Sequence, residues 1–265
     1  LLMCLLTIIM KKTILLVAIL SVFIGVSQQS KRQLLQLKIY TFANKAQQQI
    51  TENYLEKAYL PALHRLQIKN IGVFKTHKTV DSIGQKLYVL TPYDSLMQLK
   101  ELENNILNDE DYKMAGKTYL QVSHDKPPYQ RIETILLCAF KNMPRLKPTP
   151  IDGTLTKRIY ELRSYQSPNE TYLHNKVDMF NVGGEIALFK SLNFNAVFYG
   201  EVISGPDMPN LMYMTTFSNQ ESRDIHWKAF VDSPEWKKLS ANAKYQNNVS
   251  HIDITFLYPT EYSDY

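Results

Sequence analysis

Arg158-Ile159-Tyr160-Glu161-Leu162-Arg163-Ser164-Tyr165 and, one residue on, Ser167-Pro168-Asn169-Glu170 form the stretch from which the fold can be read. The first eight residues read as a strand whose one face is Ile159, Glu161, Arg163 and Tyr165. Ser167 as N-cap, Pro168 at the first helical position and Glu170 two residues later then start a helix. That helix is expected to run to about Leu192, bent at Gly183-Gly184. Strands follow at Asn195–Ile203 and Leu211–Phe217, joined by the Gly205-Pro206-Asp207 turn. Next come a helix over Ser218–Val231 with Glu221 in a capping box, a short helix from Ser233-Pro234, and a last strand, His251–Tyr258. The order is β-α-β-β-α-β, the split motif of ferredoxin-like folds.

Upstream the same order recurs. Leu35–Phe42 reads as a strand, and Asn44–Leu66 carries Ile50, Tyr54, Ala58, Ala62 and Leu66 at helical spacing, with Pro61 expected to kink it. Strands are expected at Lys69–Lys75, Lys86–Thr91 and Arg131–Phe140, with helices over Asp94–Leu107 and around Tyr112–Leu120. At an offset of 124, Leu87 aligns with Leu211, Tyr93 with Phe217, Leu107 with Val231 and Tyr112 with Trp236. Three prolines and a glycine between Asn142 and Gly153 mark a linker. The expected organisation is therefore a first ferredoxin-like domain over 33–141, a linker over 142–156 and a second domain over 157–259. The fold class is α+β: tandem βαββαβ repeats whose sheets pair in a dimeric α/β-barrel-type arrangement. Because the candidate open faces mix aromatics with charges, the barrel interior is expected to be partly polar.

The N-terminus reads as a targeting segment. Lys11-Lys12, the apolar run Thr13–Ile24 and small residues at Gly25 and Ser27 make a cleavable secretory signal over 1–27, with Met10 as a candidate start and 1–9 as an untranslated extension. Twelve to fourteen apolar residues fall short of the ~20 that span a bilayer. The expectation is an exported protein, periplasmic or extracellular, without a stable membrane anchor after cleavage. Loss of that segment removes two lysines and Cys4, so the formal charge falls from +5 to +3 and Cys138 is the one cysteine left. So mild a charge, with no recognisable module, argues against a nucleic-acid partner. A hydrophobic share of 45% excludes disorder, and 9 Gly with 2 Cys exclude collagen-like and disulfide-scaffold classes.

Several segments of the second half resemble the NIPSNAP family: Arg158–Tyr165, Asn195–Glu201, Pro209–Phe217, Arg223-Asp224-Ile225-His226-Trp227-Lys228-Ala229-Phe230 and Ser233-Pro234-Glu235-Trp236. The resemblance spans about 158–258, and the first half looks like a diverged copy, as in exported bacterial tandem NIPSNAP-domain proteins. It implies a ferredoxin-like fold of the dimeric α/β-barrel group. It implies no catalytic set that could be placed on these residues.

Two groups of residues are candidates for chemistry. His226 beside Trp227, with Arg223 one turn before and Phe230 one turn after, could form a base or orienting group next to an aromatic wall and a carboxylate-binding guanidinium. The competing account is a helix packing its aromatics on the sheet, with Arg223 paired to Glu161 or Glu201. The aligned first-half positions, Leu102 and Glu103, place any such site in the second half alone. Glu161, Arg163, Tyr199 and Glu201, expected on neighbouring strands, could do acid–base work or form a salt-bridge network on a sheet face. The six histidines show no metal-binding spacing, and no phosphate loop or nucleophile elbow occurs, so neither a metal nor a cofactor is expected.

Two functions stay open. One is a non-enzymatic binding or scaffold protein that engages a protein partner or a small-molecule ligand, compatible with a homo-oligomer. The other is a cofactor-independent, monooxygenase-like enzyme acting on a small apolar or aromatic acid, by analogy with related barrels.

Overall fold

The computed structural model describes residues 31–77, 86–148 and 150–265. The signal-segment reading of 1–27 lies outside them. Arg32–Tyr265 packs as one compact unit. Its first half runs β1 (Leu34–Thr41), α1 (Lys45–Tyr54), a π-helical turn (Leu55–Tyr59), α2 (Leu60–Arg65), β2 (Gly72–Thr76), β3 (Lys86–Tyr93), α3 (Leu96–Leu107), α4 (Glu110–Ala115), α5 (Lys117–Leu120) and β4 (Arg131–Ala139). The second half runs β5 (Ile159–Gln166), α6 (Glu170–Asn181), α7 (Glu185–Ser191), β6 (Asn195–Ser204), β7 (Asn210–Phe217), α8 (Gln220–Asp232), α9 (Pro234–Ser240) and β8 (His251–Pro259). A single 3-10 turn, Ala243–Tyr245, precedes β8.

All eight strands close into one barrel in the order β1-β3-β2-β8-β5-β7-β6-β4, and every pairing is antiparallel. Within each half the spatial order is fourth, first, third, second strand. The seams are β2 on β8 and β4 on β6. Closure removes the four free edges that two separate sheets would expose.

Period-2 alternation then assigns the faces. Tyr160 and Leu162 of β5 point into the barrel with Leu35, Leu37, Phe74, Leu90, Leu137, Met214 and Leu257. Ile159 and Tyr165 point outward under the helices. The middle of the barrel interior is therefore an apolar core, while one end, lined by Lys86, Glu133, Ser164, Asp253 and Thr255, is polar, which agrees with the expected partly polar interior. The charged face of β5, with Glu161 and Arg163, is the outer one that the helices cover. β6 also departs from simple alternation. A bulge between Ala196 and Phe198 turns both Val197 and Phe198 inward, and Tyr199 returns to the outer face. The expected single face of Val197, Tyr199, Glu201 and Ile203 is thus split.

Local signals explain the helix starts and stops. Side chains of Asn44, Ser95, Asp109, Asn219 and Ser233 each accept a backbone N–H two or three positions into the following helix. The cap of α6 is Asn169, two residues beyond the expected Ser167. Ser167 is instead buried and donates its hydroxyl to the Asn248 carbonyl at 2.7 Å. Pro61 has no N–H to continue the ladder, and the chain answers with the π turn just ahead of it, where Leu60 N–H reaches Leu55 O. The expected bend at Gly183-Gly184 is a full break between α6 and α7. Gly184 adopts φ +97°, a conformation that glycine alone holds cheaply.

Candidate functional site

The second half holds an open cavity of about 770 Å³ between the outer face of β5 and β8, helices α6–α9 and the chain from Tyr245 to Val249. Its wall includes Arg163, Lys176, Glu185, Arg223, Trp236 and Asn248.

Glu161 organises one side. Its carboxylate is 0% exposed. Arg163 approaches its Oε1 through Nε at 2.7 Å and Nη2 at 2.6 Å. Arg223 donates Nε to Oε2 at 2.9 Å and Nη2 to Oε1 at 3.0 Å, and Trp227 Nε1 donates to Oε2 at 2.7 Å. A buried carboxylate so surrounded is held in one place by its donors. Arg163 lies over the Trp227 ring at 3.7 Å and donates Nη1 to the Tyr165 hydroxyl at 3.0 Å. Tyr165 in turn meets the Tyr213 hydroxyl at 2.7 Å. Burial disfavours the Arg163 charge, but Tyr213, Tyr165 and Glu161 outweigh it and hold the guanidinium above its usual range. The hydrogen bond to Glu161 does the same for Arg223. Burial pushes the Tyr213 phenol far up.

The opposite side carries a second buried pair. Lys176 Nζ lies 2.8 Å from Glu185 Oε2, with side chains 5% and 2% exposed. The ammonium also sits 4.8 Å over Phe180, 5.6 Å over Tyr165 and 5.8 Å over Trp236. Burial pushes the Glu185 carboxyl up, and Lys176 opposes that shift.

The expected candidates separate. Arg223 and Glu161 meet, as the packing account of α8 required. His226 does not enter the cavity wall: its Nδ1 contacts the Ser222 carbonyl at 2.6 Å, and its ring packs on Phe194 and Phe217. Glu161 and Glu201 are not on neighbouring strands, because β7 lies between β5 and β6. Glu161 pairs with Thr215, whereas Glu201 pairs with Leu211, the partner of Tyr165. Tyr199 is one strand further along the row that Arg163 and Tyr213 begin, a buried ring 5.8 Å from Tyr213. Its hydroxyl is pushed up by burial.

Lys176, Glu185, Tyr213 and Asn248 escaped the reading of the sequence. One signal was present: Lys176 falls on the apolar stripe of α6 with Leu173, Met179 and Phe180. A lysine there calls for a partner, but its spacing to Glu185 across a glycine break gives no periodic clue. Among the described residues, the aligned first-half positions carry different side chains. Leu99 and Glu103 stand at the α3 positions aligned with Arg223 and Trp227. There the layer is filled by tyrosines, with Tyr54 and Tyr112 hydroxyls 3.0 Å apart and Tyr119 stacked on Tyr54 at 3.8 Å. Among the described residues no cluster of three His, Cys, Asp or Glu could hold a metal ion, and no helix is long and apolar enough to cross a membrane.

Similarity to solved structures extends over the whole barrel. A provisionally named monooxygenase from Lactobacillus acidophilus NCFM shares 13% identity with a TM-score of 0.55, over 86% of this chain and 94% of that one. A second protein so named, from Fusobacterium nucleatum, shares 9% identity with a TM-score of 0.54, over 87% and 93%. At such identities the likeness is one of fold. A NIPSNAP family protein of unknown function from Agrobacterium tumefaciens str. C58 shares 20% identity with a TM-score of 0.35, over 43% of this chain and 97% of that one. No curated protein matches the chain. The NIPSNAP family model matches residues 160–264, the part of the chain that builds the cavity.

Proposed function

We propose that this is an exported tandem NIPSNAP-domain protein whose second-half cavity binds a small aromatic or apolar acid without transforming it. The cavity wall carries the reading: it presents three cations, Arg163, Lys176 and Arg223, against one carboxylate, Glu185, among the rings of Trp227, Phe230 and Trp236. Glu161 lies behind that wall. An anionic head with an apolar body matches such a lining. The contacts to Glu161, Tyr165 and Asp224 engage three of the five N–H donors on each guanidinium, leaving others for a ligand carboxylate.

Binding is favoured over acid–base chemistry because Glu161 is saturated by its donors and Lys176 is neutralised by Glu185. The duplication is supported by element spacing: β3 and β7, α3 and α8, and α4 and α9 each begin 124 residues apart. Export rests on the Lys11–Ser27 segment. The partner is accordingly a small molecule rather than a nucleic acid. A protein partner or a homo-oligomer would engage surfaces other than this cavity.

The test is thermal-shift and calorimetric titration of the processed chain with aromatic and aliphatic monocarboxylates. Binding that Arg223→Met abolishes and His226→Ala preserves supports the reading. Absence of binding across the panel overturns it. The cofactor-independent enzyme draws support from the two monooxygenase-named neighbours of like fold. Oxygen uptake with formation of a modified acid in the same mixtures would replace binding by that reading. Export is checked by N-terminal sequencing of protein recovered outside the cytoplasm, with Gln28 expected first.

A further inference from the structure

The two ends of the barrel are unlike. At one end Leu146, Ile151 and Tyr265 pack onto the interior core, with the Tyr265 ring 5.4 Å from Phe74 and 6.1 Å from Tyr160. At the other end β1 and β5 finish while β3, β4, β7 and β8 begin, and the interior opens into a second cavity of about 320 Å³. Strand alternation sets its lining. Glu133 and Tyr88 flank Ile39 in one inward row across β4, β1 and β3, and Lys86 stands two residues before Tyr88, nearer the rim. Across the barrel, Met212, Ser164 and Asp253 form a row over β7, β5 and β8. The turn between β6 and β7 lies over this end because Gly205 has no Cβ, which would come within 3.2 Å of Ile135 Cγ2, and the turn brings Asp207 to the mouth. Ile39, Ile135, Leu162 and Met212 make an apolar floor below these charges.

Lys86, Glu133, Asp207 and Asp253 are all exposed, so a ligand entering the mouth can reach them. Asp253 is already engaged, by His251 at 3.1 Å and Gln166 at 3.3 Å. Among the described residues Lys86, Glu133 and Asp207 enter no ion pair. They stand at three separate points of the rim, on β3, on β4 and in the β6–β7 turn. Among the described residues no three acidic or histidine side chains converge closely enough to hold a metal ion. The mouth therefore matches an extended organic ion whose charges are spread along its length, not a point charge. We infer that it binds a small aliphatic diamino acid, on the inner side of the strands whose outer side bears the acid cavity. The ligand carboxylate meets Lys86, its two ammonium groups meet Glu133 and Asp207, and its methylene chain lies on the apolar floor. Ser164 and Thr255 add hydroxyls on the opposite wall. A plain diamine leaves Lys86 facing a cation, and a monoamino acid leaves one carboxylate unmatched, so both are disfavoured.

The experiment titrates free L-lysine into the chain by calorimetry, beside three analogues that each lack one charged group. Cadaverine lacks the carboxylate, norleucine the side-chain amine and ε-aminocaproate the α-amine. Lysine should bind saturably, and each analogue should bind more weakly by about fivefold. Lys86→Met should weaken lysine by a similar factor while leaving cadaverine equal or tighter. Glu133→Gln and Asp207→Asn should each weaken lysine and cadaverine together. All three positions are exposed, so the melting temperatures of the unliganded variants should match wild type. Absence of lysine binding overturns the inference. So does cadaverine binding as tightly as lysine, which would mean that the carboxylate is not read. Lysine binding that is unchanged in both Lys86→Met and Glu133→Gln places the ligand elsewhere and overturns it too. The acid cavity is tested separately by its aromatic and aliphatic monocarboxylates, so either site can fail while the other stands.

Discussion

Arg163 sits over the indole of Trp227, 3.7 Å from guanidinium carbon to ring centroid, and both side chains reach the same carboxylate, Glu161. Strand β5 and helix α8 are thereby joined by one buried anion rather than by apolar contact alone. Arg223, one turn before Trp227, closes the cluster. The arrangement keeps two cations at a cavity wall at the cost of a fully desolvated glutamate behind it.

Removing that anion should unlock the wall. Glu161→Gln leaves two guanidiniums facing a neutral amide, and a loss of about 3–5 kcal/mol is expected from chemical denaturation. Trp227→Phe keeps the ring under Arg163 but drops the 2.7 Å hydrogen bond, so the loss should be nearer 1–2 kcal/mol.

The Lys176–Glu185 pair should show strong non-additivity. Lys176→Met alone strands a buried carboxylate, and Glu185→Leu alone strands an ammonium; each should cost about 3–5 kcal/mol. The double variant should lie within about 1–2 kcal/mol of wild type, since shape is kept and no charge is left unpaired. A denaturation double-mutant cycle measures the coupling. Additive losses would show that the pair acts independently.

Acid stability should report on Asp178. Lys244 and Tyr245 hold its carboxyl below the ordinary value of 3.8. A depressed folded-state pKa contributes stability that is fully present above the unfolded value and lost as pH falls through the folded one. The gap between wild type and Asp178→Asn, less than about 1 kcal/mol for so exposed a pair, should persist at neutral pH. It should close as pH is lowered below 3.8, with melting temperature against pH as the readout.

His226→Ala should leave acid affinity unchanged, because the imidazole packs on Phe194 and Phe217 outside the cavity wall. A loss of less than about 2 kcal/mol in stability is expected from the packing alone. Calorimetry with any acid that binds wild type separates the two effects.

The order of elements in both halves could be read from periodicity, caps and turn residues, because those signals act over three or four neighbouring residues. The offset of 124 was legible for the same reason: β3 and β7 carry the same apolar alternation and lead into capped helices at Ser95 and Asn219. The α6 cap was misread because Ser167 and Asn169 are both good caps, and the choice fell to a distant carbonyl, that of Asn248. Face assignment on β6 failed where the bulge at Val197 shifted the register, which no local composition announces.

Residue type alone decided that the second half holds a strand with alternating charges under a helix bearing Arg223, Trp227 and Phe230, and that this constellation was not doubled. Tertiary structure decided which face of β5 turns outward, that β7 separates Glu161 from Glu201, and that Lys176, Glu185 and Asn248 share one cavity. The physical reason is range. Propensity and capping are settled within a turn or two, whereas buried-charge pairing depends on residues 9 to 66 positions apart, and barrel closure on β2 and β8 residues more than 180 positions apart, satisfying one another in space.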